Sequence, residues 1–258
     1  MTDDSPLRKQ RYSAPALEKG LDILELLSER QRPLTVSQIS SALDRSISEL
    51  FRMVQVLEAR GYLAINPNGE GYELTNKLFS VGISRSPSQN LIVSAVPLMQ
   101  KLSADTRQSC HLAIAVGTLM VVIARIETPG DLGFSVRVGY QRPLVHSTSG
   151  IVLYGFQPHS TKLEWRRKLR AAESEAMWLD FETRAEQAVR QGFAERPSEF
   201  VDAVTDISCP IFGDTGVTAA LTMPHLRARQ SASLEESLAA LKLAAKTLSD
   251  QLATTSTR

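Results

Sequence analysis

PLTVSQISSALDRSISELFRMVQVLEARGYLAINPNGEGYELT, residues 33–75, is the stretch from which the fold is read. Val36 to Leu43 forms a short helical run with Ile39 and Leu43 on one side, and Asp44-Arg45-Ser46 is a polar turn. Ser46 stands three residues before Glu49, the spacing of a helix N-cap with its reciprocal carboxylate. The second helix then runs to about Arg60 without an internal proline or glycine and stops at Gly61. On a 3.6-residue period Ile47, Leu50, Met53, Val54 and Leu57 share one face, while Ser48, Arg52 and Gln55 share the other with Arg45 beside them. A merely soluble helix needs only the first face. A guanidinium and short hydrogen-bonding side chains near the N-terminal half are what a helix entering a major groove presents to base edges. Tyr62-Leu63-Ala64-Ile65, a turn-rich segment of residues 66–71 that includes Asn68, and Tyr72-Glu73-Leu74-Thr75 complete a hairpin. Helix, turn, helix and hairpin in this order predict a winged helix-turn-helix.

Working outward, residues 16–27 read as the first helix of the same module, started by Pro15, with Leu17, Leu21, Leu24 and Leu27 as its core stripe. Leu21, Ile23 and Leu26 leave apolar surface for a second copy or for the wing. Residues 1–12 are polar and mixed in charge, read as a flexible tail whose Arg8, Lys9 and Arg11 could reach DNA as an arm. Arg85-Ser86-Pro87-Ser88 marks a break, and residues 83–106 form a linker helix region that Pro97 divides or kinks.

A second domain, residues 107–254, mixes strands and helices without regular alternation, so the fold class is α+β. His111 to Val116 and Leu119 to Ile126 pair as a hairpin, and Phe134 to Val138 alternates like a strand. Gly139 to Pro143 loops out. Residues 151–156, 161–175, 181–191 and 234–252 are helical, the third ended by Gly192. Residues 201–207 approach a strand that Cys209 to Phe212 enters, and Gly213-Asp214-Thr215-Gly216 turns it back into residues 217–223.

Size and composition narrow the function. A chain of 258 residues holds two domains with cores of their own. It has no apolar leader and no run suited to a membrane span, so the expected compartment is the cytoplasm. Cys110 and Cys209 sit among apolar residues and read as buried thiols. Net charge is +1 overall, and residues 1–80 carry 10 basic and 11 acidic side chains. Phosphate binding is electrostatic, so DNA affinity must come from locally placed Arg45 and Arg52, with Arg30 and Arg32 before them, and from two or more copies of the module. The same neutrality leaves open a rival, a ligand-sensing protein whose winged head docks on another protein.

His146-Ser147-Thr148-Ser149-Gly150 opens a helix. It lacks a Gly-x-Ser-x-Gly elbow, the four histidines have no metal-ligand spacing, and no glycine-rich nucleotide loop occurs. Neither catalysis nor a metal or cofactor is expected. Hydroxyls and backbone N–H groups at a helix start can hold a carboxylate, which makes Ser147, Thr148, Ser149 and Gly150 effector-binding candidates, with Asp202, Cys209 and Thr222 on neighbouring elements. Simple helix capping by Thr148 or Ser149 is the alternative use of the same atoms.

Several of these segments together resemble the IclR family of bacterial transcriptional regulators: residues 16–24, 33–39, 54–63 and 71–75 in the first domain, and 139–146, 207–212 and 216–221 in the second. The resemblance implies a GAF-like effector-binding domain behind the winged head, a homodimer or homotetramer on double-stranded operator DNA, and repression or activation of catabolic genes in answer to a small organic acid. The family's recognition-helix start carries over to Arg45, Ser46, Ser48, Glu49 and Arg52. Ile47 and Glu49 depart from it, standing where members often have a basic residue and a threonine. The effector loop also departs: Gly150 comes one residue early and Ile151 replaces a basic side chain, while Pro210 stands where some members place a polar contact. This implies a less polar, aromatic acid as the ligand.

Overall fold

The computed structural model describes residues 14–30, 32–83, 87–130 and 133–255. The N-terminal tail with Arg8, Lys9 and Arg11 lies outside the described residues, as do Arg85 and Ser86 of the expected break at 85–88, whose Pro87 and Ser88 begin a helix. Two compact units divide the chain, residues 1–86 and 87–258. Among the described residues no helix is long and apolar enough to cross a membrane.

In the first unit, helices α1 (Pro15–Arg30), α2 (Val36–Leu43) and α3 (Ile47–Ala59) precede a two-stranded wing, β1 (Leu63–Ile65) and β2 (Tyr72–Leu74), and then α4 (Lys77–Ile83). The helix starts are fixed locally. Gln38 donates its N–H to Thr35 Oγ1 at 3.2 Å, and Thr35 N–H donates back to Gln38 Oε1 at 2.9 Å. At α3 the N–H and hydroxyl of Ser46 both donate to Glu49 Oε2, at 3.3 and 3.1 Å. Between the helices Asp44 takes the left-handed conformation, φ 50°, which an Asp tolerates better than most residues. Leu63 pairs with Leu74 and Ile65 with Tyr72 in the wing, while Leu34 bridges to Tyr72. Gly71 (φ +137°) makes that approach possible, because a Cβ there would come within 2.4 Å of the Leu34 backbone.

Ile23, Leu26, Leu27, Leu34, Ile39, Leu50, Val54 and Leu63 form the core of this unit. The stripe expected on α1 is therefore rotated. Leu17 and Leu21 stay exposed, and Ile23 and Leu26, expected as surplus, are interior. Ile47 is likewise 51% exposed and not a core residue. It occupies the first turn of α3, where the other helices no longer cover that face.

The second unit is a six-stranded antiparallel sheet in the order β5-β4-β3-β8-β7-β6. Its strands are β3 (Cys110–Val116), β4 (Leu119–Ile126), β5 (Gln141–Pro143), β6 (Ala194–Pro197), β7 (Val204–Gly213) and β8 (Gly216–Leu226). Helices α5 (Pro87–Thr106) and α9 (Leu234–Thr255) cover one face. On the other lie α6 (Thr148–Gly155), α7 (His159–Arg170) and α8 (Glu175–Gln191). This mixed helix and sheet architecture is the expected α+β, GAF-like arrangement.

Four sequence expectations are corrected here. Helix α5 continues through Pro97 undivided and packs on α9 and the sheet of its own unit. Residues 134–138, despite their alternation, are not a strand, whereas 141–143, expected to loop out, form edge strand β5. The charged stretch 161–175 ends its helix at Arg170, and Ser174 caps a new one, accepting the Met177 N–H at 3.3 Å. Strand β6 was not foreseen, because four residues reading Ala-Glu-Arg-Pro carry no strand pattern.

Candidate functional site

Two surfaces carry chemistry. In the first unit, α3 presents Ser48, Arg52 and Gln55 exposed along one side. Phe51 lies beside them and is 44% exposed, with Ile47 one turn before it. These two apolar side chains were not among the candidates. Their signal was present, since Phe51 falls outside the Leu50–Val54 core stripe on a helical wheel. Other candidates are engaged within the unit. Glu49 caps α3 and pairs with Lys19 Nζ at 2.8 Å, so hydrogen bonds from Lys19 and Ser46 hold its carboxyl below the usual range. Arg45 lies 3.3 Å from Asp22 Oδ2. Ser46 is spent on the helix cap, and Asn68, exposed at the wing tip, donates its N–H to Asn66 Oδ1 at 2.9 Å. The side left to meet a partner is therefore Ser48, Phe51, Arg52 and Gln55.

In the second unit a cavity of about 450 Å³ opens on the α6 side of the sheet, a size suited to a small molecule. Side chains alternate along each strand, and that alternation decides which candidates reach it. Ser147, Thr148, Ser149 and Thr222 line the cavity. Ser149 and Thr222 hydroxyls lie 2.9 Å apart, and Thr222 lies 2.7 Å from Ser208. Cys209, next in β7, points to the opposite face into the α5–α9 core, where burial pushes its thiol up to about 12. Asp202 sits in the exposed turn before β7 and does not line the cavity; the carboxylate that does is Asp206. Gly150 is a packing position, because a Cβ there would come within 2.0 Å of the Leu144 carbonyl oxygen. Its N–H is already taken by Ser147 Oγ at 3.0 Å, so Ser147, rather than Thr148 or Ser149, caps α6.

The rest of the lining was missed by the sequence. Phe134, Val136, Tyr140, Phe200 and Met120 give it apolar walls, and Arg125, Arg137, Arg142 and Arg196 make it cationic against Glu199 and Asp206. Arg142 and Arg196 both pair with Glu199, and the Arg142 guanidinium lies 4.8 Å from the Phe200 ring centroid. Arg125 pairs with Glu127 at 2.8 Å, and His146 with Glu173 at 2.9 Å. Burial pushes the Asp206 carboxyl up to about 6 despite the pull of Arg196 and Arg142. His111, across from Thr222 in the sheet, is pushed down to about 4 by burial. Its Nδ1 has no hydrogen-bond partner among the described residues. Such an unsatisfied buried ring nitrogen is costly unless a bound group completes it. The cavity thus joins arginines, aromatic walls and a buried row of hydroxyls.

Comparison with known proteins agrees with this division. Residues 85–250 match the family profile described as bacterial transcriptional regulator IclR C-terminal, and residues 16–67 match the IclR helix-turn-helix domain. The chain is 29% identical over 259 residues to the HTH-type transcriptional regulator KdgR of Dickeya chrysanthemi, covering 95% of this chain and 82% of that protein. To KdgR of Escherichia coli K12 it is 28% identical over 262 residues, covering 96% and 97%. An IclR homolog from Microbacterium hydrocarbonoxydans, crystallised with 4-hydroxybenzoate, superposes with a TM-score of 0.78. At 21% identity over 92% of this chain and 98% of that one, the likeness is one of fold.

Proposed function

Since the chain belongs to the IclR family of bacterial transcriptional regulators, we propose that it controls a catabolic operon in answer to a small aromatic acid held in the cavity of the second unit. The observation that carries this is the lining: four arginines beside Phe134, Tyr140 and Phe200, with the Ser149–Thr222 hydroxyls at the sheet. Charge-assisted bonds suit a carboxylate and apolar walls suit a ring. The absence of a basic residue at Ile151 therefore does not leave the site without positive charge; the strands supply it. A ligand of this class is the one named for the Microbacterium hydrocarbonoxydans homolog, which supports the choice.

In this reading residues 13–82 bind DNA, residues 107–254 bind the effector, and residues 83–106 couple the two. Ser48, Phe51, Arg52 and Gln55 read the major groove, with Asn68 at the wing approaching flanking phosphate. Arg45 and Glu49 act chiefly by holding α3 to α1. Two or more copies share the operator, and Leu17 and Leu21 on α1 offer apolar surface for that association. Ligand and operator then alter each other's affinity by the same factor.

The test is a footprint on the intergenic DNA upstream of the gene, with and without 4-hydroxybenzoate. A protected site whose occupancy changes with the acid is expected. Protection that is absent, or equal on unrelated competitor DNA, defeats the proposal.

A further inference from the structure

We propose that Glu199 is a resident carboxylate occupying the cavity's anion-binding arginines, Arg142 and Arg196, and that an effector carboxylate binds by displacing it. This rests on the assignment of the cavity as the effector site. Arg142 belongs to β5 and Arg196 to β6, the two edge strands of the six-stranded sheet. The sheet curls until its edges face each other across the cavity, and Glu199 joins them by pairing with both guanidiniums. Both arginine side chains are about four-fifths buried, whereas the Glu199 side chain reaches them from the solvent side. Burial, together with the guanidiniums of Arg184 and Arg142, pushes Arg196 below its ordinary range, the mark of a crowded cationic site that needs an anion. Asp206 lines the same cavity with its carboxyl raised to about 6 by burial, but the carboxylate that pairs with both guanidiniums is Glu199.

Glu199 stands in the short connection between β6 and β7, next to the 63% exposed Phe200 on which Arg142 stacks. The Glu199 side chain is 38% exposed, so displacing it requires only that it turn outward to solvent. An incoming carboxylate replaces Glu199 charge for charge, so both arginines remain compensated while the bridge between the edges passes from the protein to the ligand. Removing the internal competitor should therefore raise affinity for acids and leave neutral analogues alone.

The experiment is isothermal titration of the full-length protein with 4-hydroxybenzoate and with its neutral counterpart 4-hydroxybenzamide. Wild type, Glu199→Gln, Arg142→Gln and the cavity-blocking Ser135→Trp are compared. Glu199→Gln is expected to bind the acid about tenfold or more tightly than wild type, the size of one charge-assisted bond. The amide should bind both equally. Arg142→Gln should lose the acid and Ser135→Trp should lose both compounds. Equal affinity of the acid for wild type and Glu199→Gln, with binding lost in Ser135→Trp, overturns the displacement but keeps the cavity as the site. Acid binding that survives Ser135→Trp overturns the cavity assignment itself. No binding of the acid by Glu199→Gln overturns the displacement, because the freed arginine pair must then accept a carboxylate.

Discussion

Ser149, in the first turn of α6, meets Thr222 of β8 hydroxyl to hydroxyl at 2.9 Å, fully inside the protein. Thr222 also reaches Ser208 at 2.7 Å, so one side chain satisfies two buried hydroxyls. Thr222→Val keeps the shape and removes both partners at once. Leaving buried polar groups unpaired costs about 1–3 kcal/mol, and urea denaturation should show that loss. Ser149→Ala in the Thr222→Val background should cost less than it does alone, because the interaction is already gone.

Asp206 gives the cavity a pH dependence. Its carboxyl, raised by burial to about 6, is neutral below that pH and charged above it. Under the proposed effector site, a charged Asp206 competes with the effector carboxylate for Arg196 and Arg142. Affinity for 4-hydroxybenzoate is expected to fall as pH rises through about 6, and Asp206→Asn should flatten that profile. Stability follows the same proton. Between 3.8 and about 6 the folded state holds a proton that the unfolded chain releases, so Asp206 lowers stability as pH rises through that window. His111 acts oppositely: burial holds it neutral down to about 4, and stability is lost as pH falls from 6.5 toward that value. Urea midpoints of Asp206→Asn should therefore gain on wild type from about pH 4 to about pH 6 and hold constant above.

Gly150 separates a binding role from a packing one. With the Leu144 carbonyl oxygen only 2.0 Å from where a Cβ would sit, Gly150→Ala must push α6 from the turn before it. The expected cost is about 1–3 kcal/mol or more, seen as a lower denaturation midpoint without any ligand present. Unchanged stability with weakened effector binding would return Gly150 to the list of ligand contacts.

The parts of this molecule that were legible in sequence are those fixed within a few residues. Ser46 with Glu49 marks the start of α3 by spacing alone, and Gly213 to Gly216 marks the β7–β8 turn. Ser147, Thr148 and Ser149 were candidates because hydroxyls open a helix, and Thr222 because it falls on a neighbouring element; all four line the cavity. The rest of the cavity was hidden for two physical reasons. Arg142 and Arg196 come together only because the sheet curls its edge strands toward each other, which no local pattern records. Cys209 and Ser208 differ by one place in β7, and that single place selects opposite faces of the sheet. On α1 the leucine stripe misled because Ile23 and Leu26 point inward as well as Leu27, leaving Leu17 and Leu21 outside.

Recognition of DNA should separate two neighbours on α3. Arg52 is exposed and has a guanidinium fork suited to a guanine, whereas Phe51 offers an apolar face suited to a thymine methyl. Arg52→Ala is expected to weaken the specific site by about 1–3 kcal/mol and to affect unrelated DNA far less. Phe51→Ala should leave the salt dependence of binding unchanged, since no phosphate charge is lost, while relaxing the preference at one A·T position. Competition binding against a set of single-base operator variants distinguishes these outcomes. An equal loss on every sequence for Arg52→Ala would make it a phosphate contact, and an unaltered preference for Phe51→Ala would remove that ring from the reading face.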